Sequence, residues 1–107
     1  GRSKYMIKSG GENIYPMEIE RVLLADNRIS EAAVVGKYDS HWGETVVAFV
    51  AKNDAGLSEQ DIEMLCRANL AGYKRPREVH FIAMEDFPRS DSGKIIREAL
   101  ERRLVAG

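Results

Sequence analysis

The 107-residue chain contains few of the side chains that usually carry out chemistry. Its single cysteine, Cys66, excludes an internal disulfide framework and most zinc sites. We expect Cys66 to be a buried helical thiol in a protein of the reducing cytoplasm. The two histidines, His41 and His80, have no partner at a spacing that indicates a nucleophile–base pair. The sequence therefore predicts neither a metal centre nor a hydrolytic active site within this chain.

Long apolar runs and an excess of one charge are also missing. No run approaches the roughly 18 residues that predict a membrane span, and the sequence has no signal peptide. The 16 Lys/Arg and 17 Asp/Glu residues give a net charge of −1, which is unlike a basic nucleic-acid-binding protein. The length and the 44% apolar content predict one domain with a modest core. Because the chain opens on Gly1 without an initiator methionine, we expect it to be a piece of a larger protein.

Hydrophobic periodicity and turn residues predict an α+β domain. Pro16 suits the first position of a helix, and Ser58 with Asp61 predicts a capping box at the start of another. Nearly continuous apolar runs predict strands that are buried on both faces. The predicted order is an N-terminal β-hairpin (5–8 and 12–15), a helix (16–24), two strands (31–38 and 44–52), a helix after residue 58, a strand (78–83) and a last helix with Ile96, Ala99, Leu100 and Leu104 on one face. The last three strands form a central sheet packed by about three helices.

The segment most informative about function is 88–97, which reads Pro-Arg-Ser-Asp-Ser-Gly-Lys-Ile-Ile-Arg. It is not a phosphate-binding P-loop, because Pro88 stands where the first glycine belongs and Ile95 stands where Ser or Thr should follow the lysine. We expect Lys94 to lie on a flexible polar loop at the start of the last helix. It is either a solvated surface lysine or a cation that is carried into a distant site.

Two other segments have the composition of ligand-binding loops. Ser9-Gly10-Gly11 is either a simple hairpin turn or a backbone that approaches a ligand closely. Segment 73–77, Tyr-Lys-Arg-Pro-Arg, sets an aromatic ring beside three cations, which suits a nucleotide, although most charge clusters are solvated surface. Trp42, on another loop, either adds a second stacking surface or caps the core.

In this order, the segments resemble the small C-terminal domain of the adenylate-forming enzymes, which include acyl- and aryl-CoA synthetases, peptide-synthetase adenylation domains and luciferases. The resemblance covers essentially all of residues 1–107 and rests on residues 1–20, 73–76 and 88–97. It implies that a carboxylate attacks the α-phosphorus of ATP, and that a thiol then displaces AMP from the acyl-adenylate. The implied cofactors are ATP, Mg²⁺ and coenzyme A, bound mainly with a large N-terminal domain outside these residues. We therefore expect the chain alone to be inactive.

The resemblance also implies roles by position. Lys94 corresponds to the lysine that neutralises charge between the carboxylate and the α-phosphate during adenylation. Arg2 corresponds to an arginine that holds the ribose, and Lys4 to the hinge about which the domain moves. The residues implied in receiving coenzyme A are Ser9, Gly10, Gly11, Trp42, Tyr73, Arg75 and Arg77.

The partners implied by the resemblance are the N-terminal domain of the same protein, a carboxylic acid, ATP and a thiol acceptor. Coenzyme A is the preferred acceptor, because Gly-Gly-Glu-Asn-Ile-Tyr-Pro at 10–16 is closer to fatty-acyl and aryl-CoA ligases than to peptide-synthetase domains. The alternatives are a domain that loads a carrier protein and a non-enzymatic nucleotide-binding module. A further hypothesis is that a protein acetyltransferase silences Lys94 by removing its charge, which intact-mass analysis tests. The acid itself is not identified by these residues.

Overall fold

A computed structural model describes residues 4–106, and every structural statement below refers to that part of the chain. Within it, one five-stranded sheet is covered by three α-helices. The strands are β1 (Ile7–Ser9), β2 (Glu12–Ile14), β3 (Ile29–Asp39), β4 (Gly43–Lys52) and β5 (Glu78–Phe81). The helices are α1 (Pro16–Leu24), α2 (Glu59–Asn69) and α3 (Arg97–Ala106), and two short 3-10 helices occupy Gly72–Lys74 and Met84–Asp86. The predicted α+β class and element order are confirmed.

β4 is the central strand of the sheet. One of its edges pairs antiparallel with β3 along almost the whole length of both strands. The other edge is shared, because β1 meets β4 at the Ser9–Gly43 pair and β5 runs parallel to the second half of β4. The predicted three-stranded sheet of β3, β4 and β5 is therefore confirmed, and the N-terminal hairpin of β1 and β2 extends the same sheet.

Side chains of β3 and β4 alternate between two buried clusters, which explains their uninterrupted apolar sequences. Val34 and Ala48 belong to the cluster beneath α1 and α2, whereas Val35 and Phe49 belong to the cluster beneath α3. Helix α2 connects β4 to the parallel strand β5, as a parallel crossover requires. The domain therefore has three layers, with two helices on one face of the sheet and one on the other.

Several local signals act as predicted. Pro16 occupies the first turn of α1. The Ser58 hydroxyl accepts from the Asp61 amide at 3.2 Å, while the Asp61 carboxylate accepts from the Ser58 amide at 3.0 Å, which completes the capping box of α2. Cys66 is buried on α2, and burial raises the pKa of its thiol to about 11. This cysteine is a structural side chain, as expected.

The last helix begins later than predicted. Ile95 forms an antiparallel bridge with Arg89, so the backbone around it is extended, and α3 starts only at Arg97. Lys94 therefore precedes the helix by three residues and does not lie in its first turn. Ile96 is partly exposed ahead of the helix, which corrects its predicted place on the apolar face.

Side chains cap the backbone amides on the outer edge of β3. The Val34 amide donates to the carboxylate of Glu20 on α1 at 2.8 Å, and the Gly36 amide donates to the hydroxyl of Tyr5 at 3.1 Å. The Glu20 carboxylate also accepts from the guanidinium of Arg97, at the start of α3, at 2.6 Å. One carboxylate therefore joins α1, β3 and α3 at the edge of the sheet.

We predict that Glu20→Ala lowers the free energy of unfolding by about 2 kcal/mol, because a backbone amide and a guanidinium both lose their ionised acceptor. The matched control is Glu63→Ala, which removes an exposed pair with Arg67, four residues along α2, at 2.6 Å. That pair is expected to contribute no more than about 0.5 kcal/mol. Equilibrium unfolding in urea measures both variants, and equal losses would contradict the role assigned to Glu20.

Candidate functional site

Lys94 lies at the exposed end of a tight turn closed by backbone hydrogen bonds. The Ser90 amide donates to the carbonyl of Lys94 at 2.8 Å, and the Gly93 amide donates to the carbonyl of Ser90 at 2.8 Å. Gly93 has φ +86°, the left-handed conformation that glycine supplies in three-residue hairpin loops. The segment expected to be a flexible loop is therefore a compact hydrogen-bonded turn.

The three cations of this segment have different surroundings. Arg89 is paired with Glu31 of β3 at 2.5 Å, and Arg97 is paired with Glu20 at 2.6 Å. Within residues 4–106, no hydrogen bond or ion pair engages the ammonium of Lys94, whose side chain is exposed. Lys94 is thus the cation of this turn that remains available to an anion from outside the domain.

Six of the seven residues predicted to receive coenzyme A line one pocket of about 280 Å³. The pocket lies between the β1–β2 hairpin, the loop before β4 and the 3-10 helix before β5. The six residues are Ser9, Gly10, Trp42, Tyr73, Arg75 and Arg77. Gly11 is exposed and lies outside this lining. The fold therefore assembles three segments that are far apart in sequence.

The hairpin turn and the indole of Trp42 are in close contact. The Gly10 amide donates to the carbonyl of Trp42 at 2.8 Å, and a Cβ on Gly10 would lie 3.0 Å from Cε3 of the indole. Gly10 also has φ +56°, which disfavours other residues. The loop is shaped by Asp39, whose carboxylate accepts from the Trp42 amide at 2.8 Å. Glycine is therefore required here both by the turn and by the ring beside it.

The cations that follow Tyr73 are not equivalent. The Lys74 ammonium binds the Glu18 carboxylate at 2.9 Å, and this contact raises the pKa of Lys74. The Arg75 guanidinium donates to a carbonyl at the C-terminus of α2 at 3.1 Å, where it stabilises the helix end. The Arg77 guanidinium lies 5.0 Å from the centre of the Trp42 ring, and among the described residues no carboxylate pairs with it. Arg77 is therefore the cation of this segment best placed for an anionic ligand.

The predicted hinge lies at the edge of the described structure. Lys4 is exposed, and its ammonium lies 5.0 Å from the centre of the Tyr15 ring. The next residue, Tyr5, is tied to β3 and α3 through its hydroxyl. Arg2, predicted to hold the ribose, lies outside the described residues. The chain is thus anchored to the domain from Tyr5 onward, directly after the predicted hinge.

The two candidate surfaces lie at opposite ends of β3. The Lys94 turn is attached near the start of this strand through Glu31, whereas Trp42 follows its end at Asp39. At about 3.3 Å per residue, the eight steps from Glu31 to Asp39 span about 26 Å. The arrangement therefore places the lysine and the pocket near opposite ends of this strand.

The described residues offer no separate metal centre. Among residues 4–106, no group of three or more histidine, cysteine, aspartate or glutamate side chains is arranged to hold a metal ion. No step below involves a metal held by this chain. In the same part of the chain, no helix has the length and apolar character needed to traverse a bilayer.

The sequence matches the AMP-binding enzyme C-terminal domain over residues 18–94. The chain belongs to this family. Among its relatives is the long-chain-fatty-acid–CoA ligase FadD13 of Mycobacterium tuberculosis strain ATCC 25618 / H37Rv, which is 44% identical over 105 residues. That alignment covers 98% of this chain and 20% of the relative. The predicted family is confirmed, and the chain is homologous to acid–thiol ligases.

Two solved structures share the fold of this AMP-binding C-terminal domain. Bacillus subtilis o-succinylbenzoate CoA synthetase (MenE), in complex with the acyl-adenylate intermediate OSB-AMP, has a TM-score of 0.86 and 36% identity, covering 94% of this chain and 20% of that one. A double mutant of the same enzyme, bound to its product analogue OSB-NCoA, has a TM-score of 0.85 and 37% identity with the same coverage. The chain thus spans about a fifth of the length of the relatives it matches.

We predict that Gly10→Ala shifts the fluorescence emission of Trp42 to longer wavelength, because the new Cβ displaces the indole. The chain has one tryptophan, so the signal is unambiguous in the 107-residue protein. The control is Gly11→Ala, which also has a positive φ, of +85°, but has open space around its Cβ position. Both variants should lose roughly 1 kcal/mol of stability from the left-handed conformation, and only the first should shift the emission. The same emission wavelength in both variants would contradict a close contact between Gly10 and the Trp42 indole.

Proposed function

We propose that this chain is the mobile C-terminal domain of an AMP-forming ligase that joins a fatty or aryl carboxylic acid to coenzyme A. The proposal rests on one observation above all. Two segments typical of the family form two separate surfaces at opposite ends of β3, one with an unpaired exposed lysine and one with a pocket of aromatic rings and cations. Two such surfaces suit a two-step reaction in which a cation serves one step and a nucleotide-binding pocket serves the other.

Lys94 serves the first step. An oxygen of the carboxylate attacks the α-phosphorus of ATP, the bond to pyrophosphate breaks, and negative charge concentrates on the phosphate oxygens. An ammonium on a long stem can lie between the carboxylate and the phosphate and offset their repulsion. The absence of an internal partner for Lys94 within residues 4–106 supports this role, because no ion pair has to break first.

The pocket serves the second step, in which the thiol of coenzyme A attacks the acyl carbon and AMP leaves. A volume of about 280 Å³ is small for a whole coenzyme, so we expect it to hold the nucleotide end. Trp42 and Tyr73 offer ring surfaces for the base, and Arg77 offers a guanidinium for a phosphate. The hairpin turn at Gly10 then borders the path of the pantetheine arm.

A movement of the whole domain connects the two steps. Since the Lys94 turn and the pocket lie near opposite ends of β3, we expect one active site in the rest of the protein to meet them one at a time. Rotation about the backbone at Lys4 presents them in turn. We expect the acyl group to bind the N-terminal domain, so the 107 residues alone are expected to be inactive. ATP, coenzyme A and Mg²⁺ bind mainly with the N-terminal domain.

A carrier-protein-loading domain is the second candidate, and coenzyme A is favoured because a homologous enzyme binds a CoA product analogue. The exposed position of Lys94 also supports access by an acetyltransferase, which would remove the charge needed for adenylation.

We predict that Lys94→Ala in the full-length protein slows adenylation by roughly 10²–10³-fold, the usual loss for one electrostatic stabiliser. The rate of thioester formation from a pre-made acyl-adenylate should be unchanged, since the rotation proposed for the second step withdraws Lys94 from the reacting atoms. Pyrophosphate release across a panel of carboxylic acids measures the first step and also identifies the acid. Lys52→Ala, at an exposed lysine on neither surface, serves as the control. An equal loss of rate in adenylation and in thioester formation would contradict the proposal.

We predict that Arg77→Ala raises the KM for coenzyme A about tenfold, because a charge-assisted contact is lost, and leaves adenylation unchanged. Lys74→Ala, in the same segment but paired with Glu18, should leave the KM within about twofold of the wild type. With pantetheine, which lacks the nucleotide, Arg77→Ala and the wild type should react alike. Faster transfer to a phosphopantetheinyl carrier protein than to coenzyme A would instead favour the second candidate.

A further inference from the structure

Arg89 links the Lys94 turn to the edge of the sheet. Its Nη1 donates to the carbonyl of Gly93 at 3.0 Å, and its Nη2 donates to the Oε2 of Glu31 at 2.5 Å. One planar guanidinium therefore binds the peptide group just before Lys94 and a carboxylate on β3 at the same time. Arginine can do this because its donors form a fixed fork, whereas a lysine ammonium is a single point.

Glu31 is a firm anchor for this arginine. It lies directly after a register shift in β3, its backbone pairs with Ala51 of the central strand, and its side chain is only 17% exposed. Its second oxygen, Oε1, accepts from the Ala32 amide at 3.0 Å. Both oxygens of the carboxylate are therefore engaged, one by the strand and one by Arg89.

The backbone on both sides of the Lys94 Cα is consequently restrained. Arg89 holds the carbonyl of Gly93, and the Ser90 amide holds the carbonyl of Lys94 at 2.8 Å. The two peptide groups that flank the Lys94 Cα are each restrained by a hydrogen bond. Only the four-carbon stem of Lys94 remains to be ordered when the domain meets its substrate.

We propose that Arg89 is a positioning residue for adenylation, and that Glu31 acts through it. The pair fixes where the stem of Lys94 leaves the domain, and therefore where its ammonium arrives after the domain has moved. An electrostatic stabiliser works only when its charge is already in place, and a misplacement near 1 Å can cost about a hundredfold in rate. This inference rests on the proposed function of Lys94.

The experiment uses the full-length protein and compares Arg89→Ala, Arg89→Lys, Glu31→Gln and the double variant Glu31→Gln with Arg89→Ala. ATP–pyrophosphate exchange measures adenylation, thioester formation from a pre-made acyl-adenylate measures the second step, and hydrogen exchange measures the amides of the turn. Arg89→Ala should reduce the kcat of adenylation about tenfold to a hundredfold and leave the KM for ATP within about twofold, because the proposed role of Arg89 concerns only the placement of Lys94. The amides of Ser90 and Gly93 should exchange faster, and the second step should be unchanged.

The other variants separate positioning from simple stability. Arg89→Lys should recover part of the adenylation rate, because one of the two contacts can be kept. The double variant should be no slower than Arg89→Ala alone, since Glu31 acts through Arg89. Arg67→Ala, which removes an exposed Arg–Glu pair of similar length on α2, should change neither step.

Each contrary result has a distinct meaning. If Lys94→Ala impairs adenylation selectively while Arg89→Ala leaves adenylation or the exchange of the turn amides unchanged, the positioning role is wrong and the proposed function stands. An equal loss in both half-reactions for Arg89→Ala would also overturn the positioning role. If Lys94→Ala itself spares adenylation, the proposed function fails and the positioning role fails with it.

Discussion

The carboxylate of Glu20 holds three elements of the domain together at the outer edge of the sheet. It accepts from the Val34 amide on the outer edge of β3 and from the guanidinium of Arg97 at the start of α3. Helices from both faces of the sheet are thus joined around one edge strand. The Lys94 turn lies between Arg89 and Arg97, and both arginines are held by glutamates at this edge. An ordered turn in front of α3 follows from that arrangement.

A rigid body with two separate surfaces is the structural basis of the proposed two-step function. The extended strand β3 keeps the Lys94 turn and the Trp42 pocket apart, and the core on both faces of the sheet makes internal rearrangement costly. The proposed function therefore assigns the movement between the two steps to the backbone at Lys4. Tyr5, directly after it, is restrained because its hydroxyl accepts from the Gly36 amide.

The sequence was sufficient for the local features of the fold and for the family. Local patterns can be recognised in the sequence because they act through neighbouring residues. Examples are Pro16, the Ser58–Asp61 capping box and the apolar runs of β3 and β4. The glycine turn, Trp42 and the arginines of segment 73–77 were each ambiguous alone, and only the sheet brings them into one pocket.

What the sequence could not provide were contacts between distant residues. Glu20 and Arg97 are 77 positions apart, and Glu31 and Arg89 are 58 apart, so nothing in a local pattern pairs them. The start of α3 was misplaced for the same reason, because the bridge between Arg89 and Ile95 overrides the helical periodicity of the following residues. The individual roles of the cations also emerged only from their partners.

The most direct test of the account is a crystal structure of the full-length protein with a stable acyl-adenylate analogue. We predict that the ammonium of Lys94 contacts the phosphate of the analogue while the Glu20–Arg97 and Glu31–Arg89 pairs remain intact. The pocket beside Trp42 should then face away from the reacting atoms. A structure in which Lys94 points into bulk solvent, or in which those pairs are broken to let it reach the phosphate, would contradict the account.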